Sequence, residues 1–220
     1  MISLTEENYL KALLALADKE EGVSVNGLSK HLGIKMPTVT SMMKKLAEKN
    51  LVHYESYKPL RLTEEGKKQA GLIVRKHRLT EMFLVQLMGF GWEEVHEIAE
   101  EVEHIKSPVF FEKMDKLLGF PRVDPHGSPI PDKNGQMEWH QYHPLSGQPA
   151  GAILRVRAVI DSSHDFLTFL NSRELSLGTQ VRVIAVEPFD GSMVVSYGQR
   201  PPETLSRPVC DRLLVEQVGV

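Results

Sequence analysis

Between Val25 and Lys49 two helix-length apolar patterns are separated only by a Gly33-Ile34-Lys35 turn, with Pro37 just beyond it, and no other stretch constrains the fold as tightly. Glycine supplies the turn, and proline is tolerated in a helix only in its first turn. A short helix over Val25 to Leu32 must therefore stop, and a second must start at Pro37. This is helix-turn-helix spacing. Before it, Leu4 to Lys19 reads as an amphipathic helix with Thr5 as N-cap and Tyr9, Leu13, Leu16 and Ala17 as its buried stripe. After it, Leu51-Val52-His53-Tyr54 and Leu60-Arg61-Leu62-Thr63 are strand-length runs joined by the polar turn Glu55 to Pro59, which together make a wing.

From Thr63, another N-cap residue, a helical pattern runs to about Met88 through Gly66 and Gly71, each of which costs about 1 kcal/mol against alanine. Helices are also predicted over Trp92 to Ile105 and Pro108 to Leu118. Pro121 to Pro149 then carries six prolines and little periodicity, as a linker or irregular strap would. Ile153 to Ile160, Val181 to Val186 and Met193 to Tyr197 alternate like strands. The expected fold is mainly α with a β-rich C-terminal domain, and no internal repeat is present.

The 220 residues suffice for two or three small domains. No apolar run approaches the roughly 20 residues of a membrane span, and MISLTEENYL lacks the basic-then-apolar order of a signal peptide, so the chain reads as cytoplasmic with no membrane partner. A lone cysteine, Cys210, excludes a disulfide framework and any multi-thiolate metal site. A bound metal must be held by nitrogen and oxygen. Charge is uneven: residues 1 to 78 hold 14 Lys and Arg against 9 Asp and Glu, and residues 79 to 220 hold 12 against 20. A basic N-terminal part attracts phosphate, and an acidic remainder attracts cations or aids solubility.

On the helix opened by Pro37, Val39, Met42, Met43 and Leu46 fall on one side, and Thr38, Thr40, Ser41, Lys44 and Lys45 on the other. Small hydroxyls and ammonium groups suit the major groove of DNA, where they reach phosphates and base edges. Lys35 at the turn and Lys58 and Arg61 in the wing would add backbone contacts. Lys35, Lys58 and Arg61, each taken alone, read better as ordinary surface charge, and the helix face alone reads equally well as a solvated one.

A second constellation lies between Glu93 and His104. With about 100° per residue from His96, Glu100 falls near about 40°, Glu103 near about −20° and His104 near about 80°, so four candidate ligands share a face. Val95, Ile98, Ala99 and Val102 take the opposite one. On the long preceding helix His77 and Glu81 are an i, i+4 pair that can present imidazole and carboxylate to one ion. The bland alternative is a glutamate-rich solvated face. A catalytic alternative fails, because His96-Glu97-Ile98-Ala99-Glu100 begins like the zinc-protease motif but places Glu100 where its second histidine must stand. No serine elbow or phosphate loop appears either, and no enzyme is expected.

These residues resemble the diphtheria-toxin-repressor family of metal-dependent regulators, including its manganese-sensing branch. The resemblance runs through Glu7-Asn8-Tyr9-Leu10, Pro37-Thr38-Val39, Leu62-Thr63-Glu64-Glu65-Gly66, Arg75-Lys76-His77-Arg78-Leu79 with Glu81, His96 to Glu103-His104, Asp124-Pro125-His126-Gly127 and Pro129-Ile130-Pro131. It implies a winged helix-turn-helix domain over 1–74, a helical metal-binding and dimerisation domain with its linker over 75–143, and an SH3-like small barrel over 144–220. It implies one metal site from His77, Glu81 and His96, and a second from Asn8, Glu100, Glu103 and His104. Asn8 stands where iron sensors have Met and manganese sensors often Asp, and Glu100 where iron sensors have Cys. Longer members can add a ligand from the SH3-like domain. Asp165, within Asp161-Ser162-Ser163-His164-Asp165, lies in that region; a helix cap or turn residue is the better reading of it, and Asn8 can be a hydrogen-bonding residue of the first helical turn.

The implied protein is a homodimeric repressor that binds an operator when Mn2+, or alternatively Fe2+, is present, and controls metal-homeostasis genes. An ion shared between Asn8 and the Glu100 to His104 segment would tie the first helix down; lacking a cation, Glu100 and Glu103 should repel. The rival readings are a winged-helix regulator of a small organic ligand and a metal-dependent hydrolase with a DNA-recruiting module.

Overall fold

The computed structural model describes residues 2–17, 22–138 and 140–218. The chain divides into two compact units. The first holds the residues up to Thr80, Ala99–Arg122 and Ile130–Glu138; the second holds Glu81–Ile98, Val123–Pro129 and the chain beyond Glu138.

In the first unit α1 (Leu4–Ala17) buries Tyr9, Leu10, Ala12 and Leu13. The last two residues of the helix expected to run to Lys19 lie outside those described. Its cap is Ser3 rather than Thr5: Ser3 N donates to Glu6 Oε2 at 2.8 Å and Glu6 N donates to Ser3 Oγ at 3.4 Å, a reciprocal capping box. α2 (Val25–Leu32) starts at Ser24, whose hydroxyl accepts from Gly27 N at 2.9 Å, and stops at Gly33 with φ 66°, the left-handed position glycine takes without strain. α3 (Met36–Glu48) carries Pro37 in its first turn and buries Val39, Met43 and Leu46. β1 (Val52–His53) and β2 (Arg61–Leu62) pair antiparallel, Val52 opposite Leu62, which confirms the wing. All these elements close on one apolar core.

α4 (Glu64–Met88) begins at Thr63, whose hydroxyl accepts from Gly66 N at 3.0 Å. The two glycines of this helix have a packing reason. A Cβ at Gly66 would stand 1.9 Å from the Leu51 carbonyl oxygen and one at Gly71 would stand 2.0 Å from that of Gly135. Helix propensity is given up for close backbone approach. α5 (Val95–Val102) is shorter than expected. At its start the Glu94 carboxylate accepts from Gly91 N at 2.8 Å, and past its end Lys76 Nζ donates to the Glu103 carbonyl oxygen. These side chains satisfy backbone groups that further helical turns would otherwise engage. α6 (Pro108–Leu117) follows as the sequence predicts.

In the second unit β3 (His143–Pro144), β4 (Ile153–Val159), β5 (Gln180–Val186), β6 (Met193–Tyr197), β7 (Glu203–Leu205) and β8 (Leu213–Gln217) form one antiparallel sheet in the order β3-β8-β4-β5-β6-β7. Register shifts at Val156/Ala158 and Val183/Ala185 bend β4 and β5, as an SH3-like domain requires. α7 (His164–Ser172) and α8 (Arg207–Cys210) were not expected; Leu167, Leu170 and Cys210 enter the core of this unit with Leu154, Val156 and Val195.

The proline-rich strap is ordered by Asx turns. Asp124 accepts from the backbone N–H of His126 at 2.8 Å and of Ser128 at 2.9 Å, and Val159 N donates to the His126 carbonyl at 2.9 Å. This segment therefore buries Asp124 and His126 instead of trailing through solvent.

Candidate metal centre

Within the first unit, α1 and the chain from Glu100 to His104 place their polar side chains against one another. Residues 7, 8 and 11 share a face of α1 by helical spacing. Glu103, in the turn that ends α5, is fully buried, not on an open ligand face as its position on the helical wheel suggested. Its Oε2 lies 2.6 Å from His77 Nδ1, and Lys11 Nζ donates to Oε1 at 2.8 Å and to Oε2 at 2.9 Å. The same ammonium reaches Glu100 Oε1 at 2.5 Å. Glu100 and Glu103 thus share a cationic neighbour, which corrects the expectation that they repel. Burial alone would raise the Glu103 carboxyl, but the hydrogen bond from His77 and the charge of Lys11 hold it below the usual carboxylate range.

His104 Nδ1 stands 2.6 Å from Glu7 Oε2, and its Nε2 is 3.7 Å from Glu103 Oε1. Beside Glu7, the Asn8 amide oxygen is buried and has no hydrogen-bond partner among the described residues. A buried carbonyl dipole without a donor is destabilising on its own and is a good hard ligand for a dication. This set of an amide oxygen, carboxylates and imidazoles contains no sulfur, and its composition fits a hard or borderline divalent ion.

In the second unit, Glu81, Asp124 and His126 are all buried, and one potential ligand atom from each lies within 4.8 Å of the others. His126 Nε2 is 2.8 Å from the Trp92 carbonyl, so this nitrogen carries the proton in the neutral ring and Nδ1, 3.8 Å from Glu81 Oε2, presents its lone pair. His96 Nδ1 lies 3.5 Å from Glu81 Oε1, with its side chain half exposed.

Of the residues expected to bind metal, Glu100, Glu103, His104 and His77 approach one another in the first unit, and Glu81 and His96 do so in the second. Asp165 joins none of these groups. Its carboxylate is fully exposed in the first turn of α7, 3.8 Å from His164 Nδ1. Sequence reasoning missed Glu7, Lys11, Asp124 and His126. Lys11 had a signal, a cation one turn beyond Glu7 and Asn8, and Asp124-Pro125-His126-Gly127 had one in its acid and imidazole two residues apart.

On α3 the expected DNA face is open: Pro37, Thr38, Ser41, Lys44 and Lys45 are exposed and Thr40 is half-buried; Lys35, Lys58 and Arg61 are exposed too. Two of the cations already have partners. Lys45 Nζ is 3.2 Å from the buried Glu6 carboxylate, which Lys49 also meets at 2.7 Å, and Lys58 pairs with Glu55 at 2.8 Å.

Three family models match the chain: the iron dependent repressor N-terminal DNA binding domain over residues 1–60, the iron dependent repressor metal binding and dimerisation domain over 63–132, and the FeoA domain over 143–217. The iron-dependent repressor IdeR of Mycobacterium tuberculosis is 36% identical over 129 residues, 58% of this chain and 55% of that protein, so the match spans about half the length of that relative. The diphtheria toxin repressor of Corynebacterium efficiens is 29% identical over 205 residues, 88% of this chain and 87% of that one. Among solved structures, a manganese-dependent transcriptional repressor in complex with manganese superposes with TM-score 0.85 at 32% identity, covering 97% of this chain and all of that one.

Proposed function

Because the chain belongs to the iron-dependent repressor family, we propose that it is a homodimeric transcription repressor that grips an operator when a divalent cation is bound. Manganese is the favoured cation and ferrous iron the alternative. The observation that carries this reading is the convergence of α1 and the Glu100 to His104 segment on common carboxylates and imidazoles. α1 packs in the core that positions α3, so whatever fixes α1 against residues 100 to 104 bears on where the recognition helix stands.

Asn8, Glu100, Glu103 and His104, with Glu7 beside them, would hold the cation, and Glu81, His96, Asp124 and His126 would supply ligands in the second unit. When bound, the cation supplies positive charge that draws hard oxygen donors together. The rest is done by the chain. Glu103 is oriented by His77, His126 is held in one tautomer by Trp92, and Asn8 offers an amide oxygen with no competing donor. The only cysteine, Cys210, is buried in the second unit's core, so no thiolate biases the choice toward softer ions.

Ile105, Val109, Phe110, Leu117 and Phe120 expose apolar surface within the segment matched by the dimerisation model, which supports assembly with a second copy. A two-fold dimer presents two α3 helices to half-sites about one DNA turn apart. Such a repressor acts in the cytoplasm on metal-homeostasis genes; no helix among the described residues is long and apolar enough to cross a membrane. The test is a mobility shift on DNA upstream of the protein's own coding sequence, with manganese, ferrous iron, zinc or chelator. Retardation with manganese that chelator reverses is expected. Equal retardation with chelator and with every metal would overturn the reading.

A further inference from the structure

The cluster formed by His77, Glu100 and Glu103 has the donors and spacing to hold a cation of its own, with ligand atoms within 4.8 Å of one another. Those donors are already engaged by Lys11. Its ammonium takes both oxygens of Glu103, at 2.8 and 2.9 Å, and Glu100 Oε1 at 2.5 Å. His77 approaches the same carboxylates, at 2.6 Å from Glu103 and 3.9 Å from Glu100. We propose that Lys11 is a tethered cation that fills the His77 side of this cluster, so that the cluster accepts one divalent ion per protomer, on the Asn8 and His104 side, where otherwise it would accept two. The proposal rests on the metal-binding reading given above.

Charge supports it. The carboxylates of Glu7, Glu100 and Glu103 bring three negative charges, which one dication and the ammonium groups of Lys11 and the adjacent Lys76 already more than balance. A second dication beside Lys11 would leave a large positive excess in a place where Glu103 is fully buried and Lys11 largely so, and like charges a few ångströms apart repel strongly when water is excluded. The ammonium also has the advantage of attachment: Lys11 stands on α1 one turn from Glu7 and Asn8, so a free ion must compete with a group held permanently at the site. A glutamate at position 11 would reverse both terms, removing one cation and adding a fourth carboxylate, which offsets most of the charge of two dications.

The test counts ions on the full-length protein. Glu81→Gln/His126→Ala serves as a common background that removes two of the four ligands of the second unit, including the carboxylate that His96 and His126 share. Manganese bound per protomer is measured by equilibrium dialysis, and X-band electron paramagnetic resonance reports whether the ions are isolated or spin-coupled. The background protein should bind one manganese with an uncoupled spectrum. Lys11→Glu should bind two with a coupled spectrum, and Lys11→Gln, neutral and of similar reach, should bind a second ion at least tenfold more weakly than Lys11→Glu does. Circular dichroism identifies a variant that has not folded, in which case the other decides. Two ions in the background protein, or one ion in every folded variant, would overturn the proposal while leaving the metal-binding reading intact. No manganese bound to the background protein would overturn that reading as well.

Discussion

His104 Nδ1 lies 2.6 Å from Glu7 Oε2, with each side chain 12% exposed, and the pair joins α1 to the turn after α5. With Lys11 bridging Glu100 and Glu103, it gives α1 two polar attachments to the same five-residue segment. α1 is the helix whose apolar side packs with α2, α3 and the wing. A change in what the carboxylates bind is therefore felt at a helix that supports the DNA face. Linkage requires the effect to run both ways, so DNA that prefers the tied arrangement must tighten cation binding.

Glu103→Gln should abolish metal-dependent DNA binding and also lower stability. A neutral amide is a poor ligand for a hard dication, and the substitution leaves Lys11 and His77 without their buried anion. Breaking such a pair from one side costs on the order of 3 kcal/mol. Operator affinity against free manganese and a urea melt in chelator measure the two effects separately. A variant of parental stability that manganese still activates would remove Glu103 from the site.

The parts of the fold read correctly from sequence are those whose determinants are local. Gly33, Pro37 and Thr63 each set a helix end through the backbone beside them, and the apolar period of α3 assigns Val39, Met43 and Leu46 to the core. The acid and imidazole of Asp124 and His126 are visible in the sequence, but their burial is not, because the strap is aperiodic and its His126 carbonyl is held by Val159, more than thirty residues on. The helical wheel put Glu103 on the ligand face but could not reveal that α1 covers that face, nor that Lys11 would stand between two of the expected ligands. β8 is short and only partly alternating, so its place between β3 and β4 follows from pairing with distant strands.

Lys44→Ala should weaken binding to operator and to random DNA alike and flatten the dependence of log affinity on log salt by about 1, as loss of one phosphate contact does. Lys45→Ala should flatten it less, because its ammonium lies 3.2 Å from the buried Glu6 carboxylate and is shared with it. Fluorescence anisotropy at several salt concentrations gives both slopes. Equal slopes in the parent and in both variants would show that α3 does not carry the phosphate contacts.

Glu6 should make the DNA-reading half sensitive to acid. Burial pushes its carboxyl upward, but hydrogen bonds and charge from Lys49 and Lys45, with the Ser3 backbone N–H, bring it down to about 2. The group therefore binds its proton more weakly folded than unfolded, where a glutamate titrates near about 4.3. Stability from this source is fully present above the unfolded value and is lost as pH falls from there through about 2. A shift of this size corresponds to about 3 kcal/mol. Glu6→Gln isolates the ionic part, since glutamine can still accept from Ser3 N in the capping box but offers Lys45 and Lys49 no charge. In urea melts followed by circular dichroism, the parent should exceed the variant by about 2 to 3 kcal/mol at pH 7 and lose that advantage progressively between pH about 4 and about 2. A stability difference that stays constant over that range would mean that the Glu6 charge does not stabilise the folded chain.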